Sequence, residues 1–413
     1  MIFFILLVGI MPLSDHHFWG AQVAGLTMFK WIGLACMGYA AFYLTRRRHP
    51  PAFLVTWQSR LFVILYVTAL FSYLLKPLRC AGGARAFQSY TSFLLLFFIT
   101  VSVVDSTRRL CQTLLTAVGA VGFASLYVIR EWQVYHNLYP GFRPGAVVGD
   151  PNYFSVSAVL SVPIAFCLLR PLRETWQRAF LLGSILLTLV AVAFAGSRGG
   201  FLGFVAAALL LLWHSRNRVR NFAAVAVLAP LILLLPIAPI QRLVHPNYSD
   251  NEAGEARLVA WRAGVKMIAA YPLTGVGLGN FKAAMVSYKD PNEPIISIAH
   301  NTYLEIAAEM GVPTLVLFLA LIGISCASLE RARRRALRLR SALLGQMALG
   351  MEAGVFGFAV SIFFLSAEYQ KLFWLVILLS MGLPALLEGR AATLRRMRKV
   401  RAKTQVELAL HPA

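Results

Sequence analysis

Acidic residues are scarce in this chain: 17 Asp and Glu stand against 39 Lys and Arg in 413 residues. Charged residues of both signs make up only 14% of the sequence, while 59% is hydrophobic. That balance excludes a set of ordinary soluble domains, whose surfaces need far more charge. Short segments of alternating polarity are missing too, which excludes a membrane β-barrel. There are five cysteines, with neither metal-ligand spacing nor a disulfide framework. Cys36, Cys111, Cys167 and Cys326 fall in or beside apolar runs and read as small buried hydrophobes, and Cys80 falls in a loop. Linkers, repeats and low-complexity tracts are absent, so residues 1–413 read as one transmembrane domain.

What is present is a series of continuous apolar runs of about 20 residues, the length that crosses a bilayer. They predict an all-α polytopic membrane protein of about 12 transmembrane helices. The expected spans are 1–13, 20–44, 52–75, 87–104, 110–129, 151–169, 178–196, 199–213, 221–239, 300–328, 341–366 and 370–387. Met1 to Leu13 is short and lacks a basic n-region, so it is a poor signal peptide and reads either as a short span or as the sign of a true start lying upstream.

A net charge of +22 would suggest nucleic acid in a soluble protein. Here the basic runs fall in alternate connections: Arg46–Arg48, Arg108–Arg109, Arg170 to Arg178, Arg216 to Arg220, Arg331 to Arg340 and Arg390 to Lys403. The positive-inside rule places those connections and both termini in the cytoplasm. The positive charge is therefore read as a topology signal with anionic-lipid contact, and no nucleic-acid partner is expected.

Two connections on the opposite, periplasmic side exceed a turn: 130–150, rich in aromatics, and 240–299, a large loop expected to carry short amphipathic helices. Within the second, Glu255 to Ala270 predicts a helix ended by Tyr271-Pro272. Leu258, Trp261, Val265 and Ile268 share a face at helical spacing, with Arg262 and Lys266 opposite and Arg257 at the edge. Such a helix would lie on the membrane surface or cap the bundle. Gly275-Val276-Gly277-Leu278-Gly279 follows no strand, so it reads as a flexible turn rather than a dinucleotide site.

Several polar residues at membrane level need a reason. Arg198, in Gly196-Ser197-Arg198-Gly199-Gly200, reads as a snorkelling cation with Ser197 as helix cap, or as a phosphate site at a helix start. The second reading is favoured, because a lone arginine in a tight periplasmic turn runs against the charge rule. Asp150-Pro151 has the form of an N-cap and first helical residue. Asn152 and Tyr153 then face headgroups or a cavity, and Arg143 is open between ligand contact and loop solvation. His300 starts the tenth span, where the default of a structural histidine is weakened by its place at a helix start at membrane level, across the bundle mouth from other cations. Asn301 could cap or bind substrate, and Thr302 with Glu305 fits a capping box. No second metal ligand lies at spacing from His300, so no metal is expected there. A nucleophile elbow is absent. Glu352 and Glu368 could each pair with a cation or relay protons.

In order and spacing, these segments resemble the O-antigen ligase and polymerase superfamily of bacterial envelope glycosyltransferases. The resemblance rests on Gly149-Asp150-Pro151-Asn152, Ser197-Arg198-Gly199-Gly200, Arg257-x-x-x-Trp261, Pro272-Leu273-Thr274-Gly275-Val276-Gly277, Ala299-His300-Asn301-Thr302-Tyr303-Leu304-Glu305 and Gly311, over residues 143–325. Length and span count suit the ligase better than its larger relatives.

The resemblance implies a metal-independent enzyme of the bacterial inner membrane, needing no cofactor. It would move a glycan from undecaprenyl pyrophosphate to the lipid A-core acceptor at the periplasmic face, in lipopolysaccharide biosynthesis. Carried over by motif, Arg198 and Arg257 would hold the pyrophosphate and His300 would act at the acceptor. Arg143, Asn152, Tyr153, Asn301 and Trp261 are the expected substrate-binding neighbours. A polymerase would share the donor chemistry. A transporter would need paired broken helices in two related halves, and the sequence has no such symmetry.

Overall fold

The computed structural model describes residues 1–13, 22–23, 26–45, 56–75, 81–139, 141–145, 150–221, 223 and 248–410. The described chain is helical: α1 (Ile2–Ile10), α2 (Met28–Thr45), α3 (Trp57–Leu74), α4 (Ala81–Val103), α5 (Thr107–Tyr135), α6 (Pro151–Leu168), α7 (Thr175–Ala195) and α8 (Arg198–Trp213) come first. Then follow α9 (Tyr248–Ala270), α10 (Phe281–Tyr288), α11 (Thr302–Met310), α12 (Val312–Arg338), α13 (Ala342–Ser361) and α14 (Lys371–Leu410). Among the described residues, β-structure is confined to one antiparallel pairing of Gln22–Val23 with Leu26–Thr27.

Eight of these helices are long and apolar enough to cross a membrane: α3 to α7 and α12 to α14. The all-helical, multi-span expectation therefore stands, while the count of twelve is not reproduced among the described residues. Ile2–Leu13 and Arg198–Trp213 are apolar but shorter. All but 221 and 223 of the span expected at 221–239, and the Arg46–Arg48 run, Cys80 and Gly149, lie outside the described residues.

The span expected at 300–328 is two helices. Gly311, at φ 86°, ends α11, and Pro313 sits in the first turn of α12. A left-handed glycine followed by proline stops one helix and starts another, so hydropathy alone ran across a real break. The short helix α11 then stands apart from the span below it and carries its own polar residues.

The core is built around α13 and α14. Trp374 is fully buried against Phe62 (ring centroids 5.6 Å) and Phe93 (5.2 Å), and Phe373 stacks on Phe358 at 4.4 Å. Aromatic pairs at these separations add to what burial alone contributes. On its other side α13 packs against α6 and α8. There the backbones nearly touch: a Cβ on Gly357 would sit 2.5 Å from the Gly203 carbonyl oxygen. Close approach of this kind replaces hydrophobic driving force where helices meet inside lipid. Gln58 of α3 donates to Ser325 (3.1 Å) on α12 and Ser380 (3.0 Å) on α14, a buried polar tie among three helices. The result is a rigid frame in which the starts of α6, α8 and α11 meet at one end of the bundle.

Candidate functional site

Helix termini shape that end of the bundle, and one of them places Arg198. Asp150 caps α6, its carboxylate accepting from the Asn152 amide at 2.7 Å, with Pro151 as the first helical residue. Helix α7 ends at Gly196 in the left-handed conformation (φ 59°), and Ser197 caps α8 by accepting from Gly200 at 3.2 Å. Arg198 is thus the first residue of α8, where free amides and the helix dipole already favour an anion. The expected Asp150 and Ser197 caps are both observed.

Arg143 ties these two helix ends together. Its Nε donates to the Ala195 carbonyl (2.9 Å) and its guanidinium donates to the Asn152 side-chain oxygen (3.0 Å). Two residues expected to touch substrate therefore meet each other, bracing the C-terminus of α7 against the first turn of α6. Tyr153 offers its carbonyl to the Gln370 amide at 3.3 Å, and its ring packs on the main core.

Helix α9 brings in Arg257, but with a different face inward from the one expected. Val259, Ala260, Ala263 and Met267 are buried, whereas Leu258 is 53% exposed and Val265 59% exposed. The buried stripe packs small residues closely against α10 and α11, with Phe281, Met285 and Ala308. Leu258 and Val265 share the outward face with Arg262 and Lys266, and Lys266 pairs with Asp290 at 2.9 Å. Side-chain size, not apolarity alone, decided which face turned inward.

Trp261 lies between the two faces. Its indole N–H donates to the Ala299 carbonyl at 2.8 Å, and its ring meets Phe363 edge-on at 5.8 Å. It thereby fixes the residue just before His300. On the other side Asn301 caps α11, accepting from Leu304 at 3.1 Å. Thr302 is the first helical residue, not the cap: its hydroxyl donates to Leu365 (2.7 Å) and accepts from Ala367 (2.9 Å). The capping box expected from Thr302 and Glu305 is replaced by this tie to the α13–α14 loop. His300, held from both sides, adopts φ 48°. That backbone region is costly for most residues, by about 1–3 kcal/mol, and is tolerated where the surroundings over-determine it.

Electrostatics link the three candidate catalytic residues. Burial lowers the Arg257 pKa, the Arg198 cation lowers it further, and Asp150 opposes both. His300 is likewise lowered by burial and then by Arg257, with Asp150 again opposing. Arg198, Arg257, His300 and Asp150 thus form one mutually interacting group. Among these four, two fixed cations face one carboxylate, and the lowered imidazole stays neutral at pH 7.

Beneath His300 lies a layer the sequence reading missed in part. Glu305, Glu309 and Glu368 are all buried, and burial raises each carboxyl above its ordinary value, with repulsion from Glu368 adding to the rise at Glu305 and Glu309. Ser366 donates to Glu305. Glu309 accepts from the amides of Gly279 (2.7 Å) and Phe281 (2.9 Å), and so fastens the glycine segment and the start of α10. That segment is no flexible turn. Val276 and Gly277 donate to the Ala308 and Glu309 carbonyls, and a Cβ on Gly275 would lie 2.2 Å from the Glu309 backbone. The available signal was Glu309 itself, one helical turn after Glu305 in an apolar helix.

The fold and site define a polytopic helical membrane protein with a cationic, histidine-bearing site at one end of its bundle. Residues 182–319 match a family model described as O-antigen ligase, about a third of the chain. The match supports the O-antigen ligase superfamily that the motifs resemble. The matched segment contains Arg198, Arg257, Trp261, His300 and Asn301, and leaves Arg143, Asn152 and Tyr153 outside it. No curated protein matches the chain.

Replacing Glu309 by Ala should strand the buried Phe281 amide and the part-buried Gly279 amide and open a cavity, destabilising the protein by about 2–4 kcal/mol. The check is thermal unfolding in detergent, with Glu309→Gln falling between the two; an unchanged unfolding temperature for the Ala variant would contradict the role given to this carboxyl.

Proposed function

We propose that this protein is an O-antigen ligase, transferring a glycan from undecaprenyl pyrophosphate to the lipid A-core acceptor at the periplasmic face of the inner membrane. The observation that carries the proposal is the grouping of Arg198, Arg257 and His300 at one bundle end, within a segment matching the ligase family model. Two guanidinium groups that repel each other in the free protein are stabilised by a polyanion between them, and a pyrophosphate supplies one.

In the proposed reaction the acceptor hydroxyl oxygen attacks the anomeric carbon on the face opposite the pyrophosphate. The bond from that carbon to the pyrophosphate oxygen breaks, and its electron pair remains on the lipid pyrophosphate. Arg198 and Arg257 stabilise this growing charge in a water-poor site. The acceptor proton passes to neutral His300, which its lowered pKa keeps available as a base. Arg143 and Asn152 brace the helix ends that present Arg198, while Trp261 and Asn301 hold the His300 backbone. Tyr153 lines the same end from the first turn of α6. The donor keeps its lipid tail, so it would enter sideways from the bilayer.

A second reading, polymerase, uses the same donor and a carrier-linked acceptor. In a deletion strain the lipopolysaccharide gel profile separates them. Uncapped core is the expected result; core capped with single repeats would transfer the proposal to the polymerase.

Asn tolerates the left-handed backbone that His300 occupies but cannot act as a base. His300→Asn should retain donor binding and lose ~10²–10⁴-fold in transfer rate. Undiminished transfer would remove His300 from the chemistry. Because the base must be neutral, the wild-type rate should fall with acid only below the ordinary histidine value of about 6.5. Asp150 raises the His300 pKa, and Asn also caps helices well. Asp150→Asn should therefore move the acid limb lower still; a shift upward would refute the assignment.

A further inference from the structure

At the opposite end of α8 a second group of chemistry-bearing side chains comes together. His214 ends that helix, 16 residues from Arg198, about 24 Å along the axis at 1.5 Å per residue. Glu330 of α12 and Glu352 of α13 approach it, and one ligand atom from each of the three lies within 4.8 Å of the others. These residues are remote in sequence, so spacing arguments could not find them.

Three details of this group go beyond simple proximity. First, His214 Nδ1 lies 2.9 Å from the Leu210 carbonyl, a contact that requires a hydrogen on Nδ1. That bond orients the ring and turns Nε2 toward Glu330, 3.4 Å from its Oε2. Backbone bonds of this kind commonly set the ring of a metal-ligating histidine.

Second, Glu330 is already braced from behind. Arg333 donates to both its oxygens (2.6 and 2.8 Å), and Arg334 donates to Oε1 at 2.6 Å. Hydrogen-bonded carboxylates are usual as metal ligands, since the donors fix the oxygen without using all its lone pairs.

Third, Glu352 is 6% exposed and its Oε2 is buried without a hydrogen-bond partner. A buried carboxyl oxygen left unpaired is costly. A proton on His214 Nε2 would satisfy Glu330 and still leave Glu352 Oε2 unpaired. A divalent cation would satisfy all three ligand atoms.

We propose that His214, Glu330 and Glu352 bind a divalent first-row transition ion, of which Zn²⁺ is the representative, and that this ion staples α8, α12 and α13 at the end of the bundle opposite Arg198. One imidazole nitrogen and two carboxylate oxygens suit such an ion better than a soft, thiolate-seeking one. A tetrahedral ion at ~2.1 Å from each ligand draws them to ~3.4 Å apart, so closure needs only small side-chain movements. The fourth position is left to water. The site is separate from the proposed transfer chemistry, and no step of that chemistry runs through it.

The test uses the full chain in detergent, prepared without a histidine tag and stripped with chelator. It is loaded with Zn²⁺ alone and passed through size exclusion before metal analysis. The expected result is about one zinc per chain in the wild type, with tenfold or greater loss in Glu352→Gln and in His214→Gln. Glu352→Gln preserves shape, and its elution profile and unfolding temperature report whether it folds. Should either variant fail to fold, Co²⁺ in the wild type decides: visible d–d absorption that Zn²⁺ abolishes supports the site. No retained zinc, equal retention in a folded Glu352→Gln chain, or no cobalt spectrum would overturn it.

Discussion

The repulsion between Arg198 and Arg257 is the constraint on which this end of the molecule depends. Each guanidinium is half-buried, and burial first, with the charge of Arg198 adding to it, lowers the basicity of Arg257. Holding them together against that repulsion takes structure. The Gly196 turn and Ser197 cap fix the start of α8, Arg143 ties α7 to α6, and α9 packs its small-residue face onto α10 and α11. Asp150 opposes the effect of burial and of Arg198 at Arg257. A site built this way is preorganised for an anion, which is what stabilising a lipid pyrophosphate leaving group requires.

The same reasoning applies to His300. Its left-handed backbone is sustained because Ala299 is fixed by the Trp261 indole and the following residues by Asn301 and Thr302. The ring is thus positioned beside Arg257 by its neighbours' bonds. Below it, Glu309 locks the glycine segment to α11, so the support for the histidine extends from α9 through α10 to the loop before α14. Polar bonds that would have been interchangeable in water here determine one geometry, because buried groups left unpaired are expensive.

Much of this was legible in the sequence, for reasons that differ by element. Long apolar runs gave the spanning helices, because bilayer thickness fixes their length. Asp150-Pro151 and Ser197 were readable as caps because capping is local chemistry. Most of what failed depended on partners distant in sequence. The inward face of α9 was misassigned because Leu258 and Val265 look like core, whereas Val259, Ala260 and Ala263 fit the close contact with α10 and α11. Asn301 displaced Thr302 as cap because Leu365 and Ala367 claim the threonine hydroxyl. The break at Gly311 was hidden by hydropathy on both sides of it. Arg143 and Asn152 looked like substrate contacts because nothing local says that they bond each other. The His214–Glu330–Glu352 group was invisible for the same reason.

The most direct measurement of the central claim is transfer by the purified protein. It is incubated with undecaprenyl-pyrophosphate-linked glycan and lipid A-core, and the products are resolved on a gel, for the wild type and for Arg257→Lys. Lysine keeps the charge but cannot make a two-point contact with phosphate oxygens. Glycan-bearing lipid A-core is expected from the wild type, and strongly reduced product from the lysine variant. Absence of product from folded wild-type protein, or equal product from both, would contradict it.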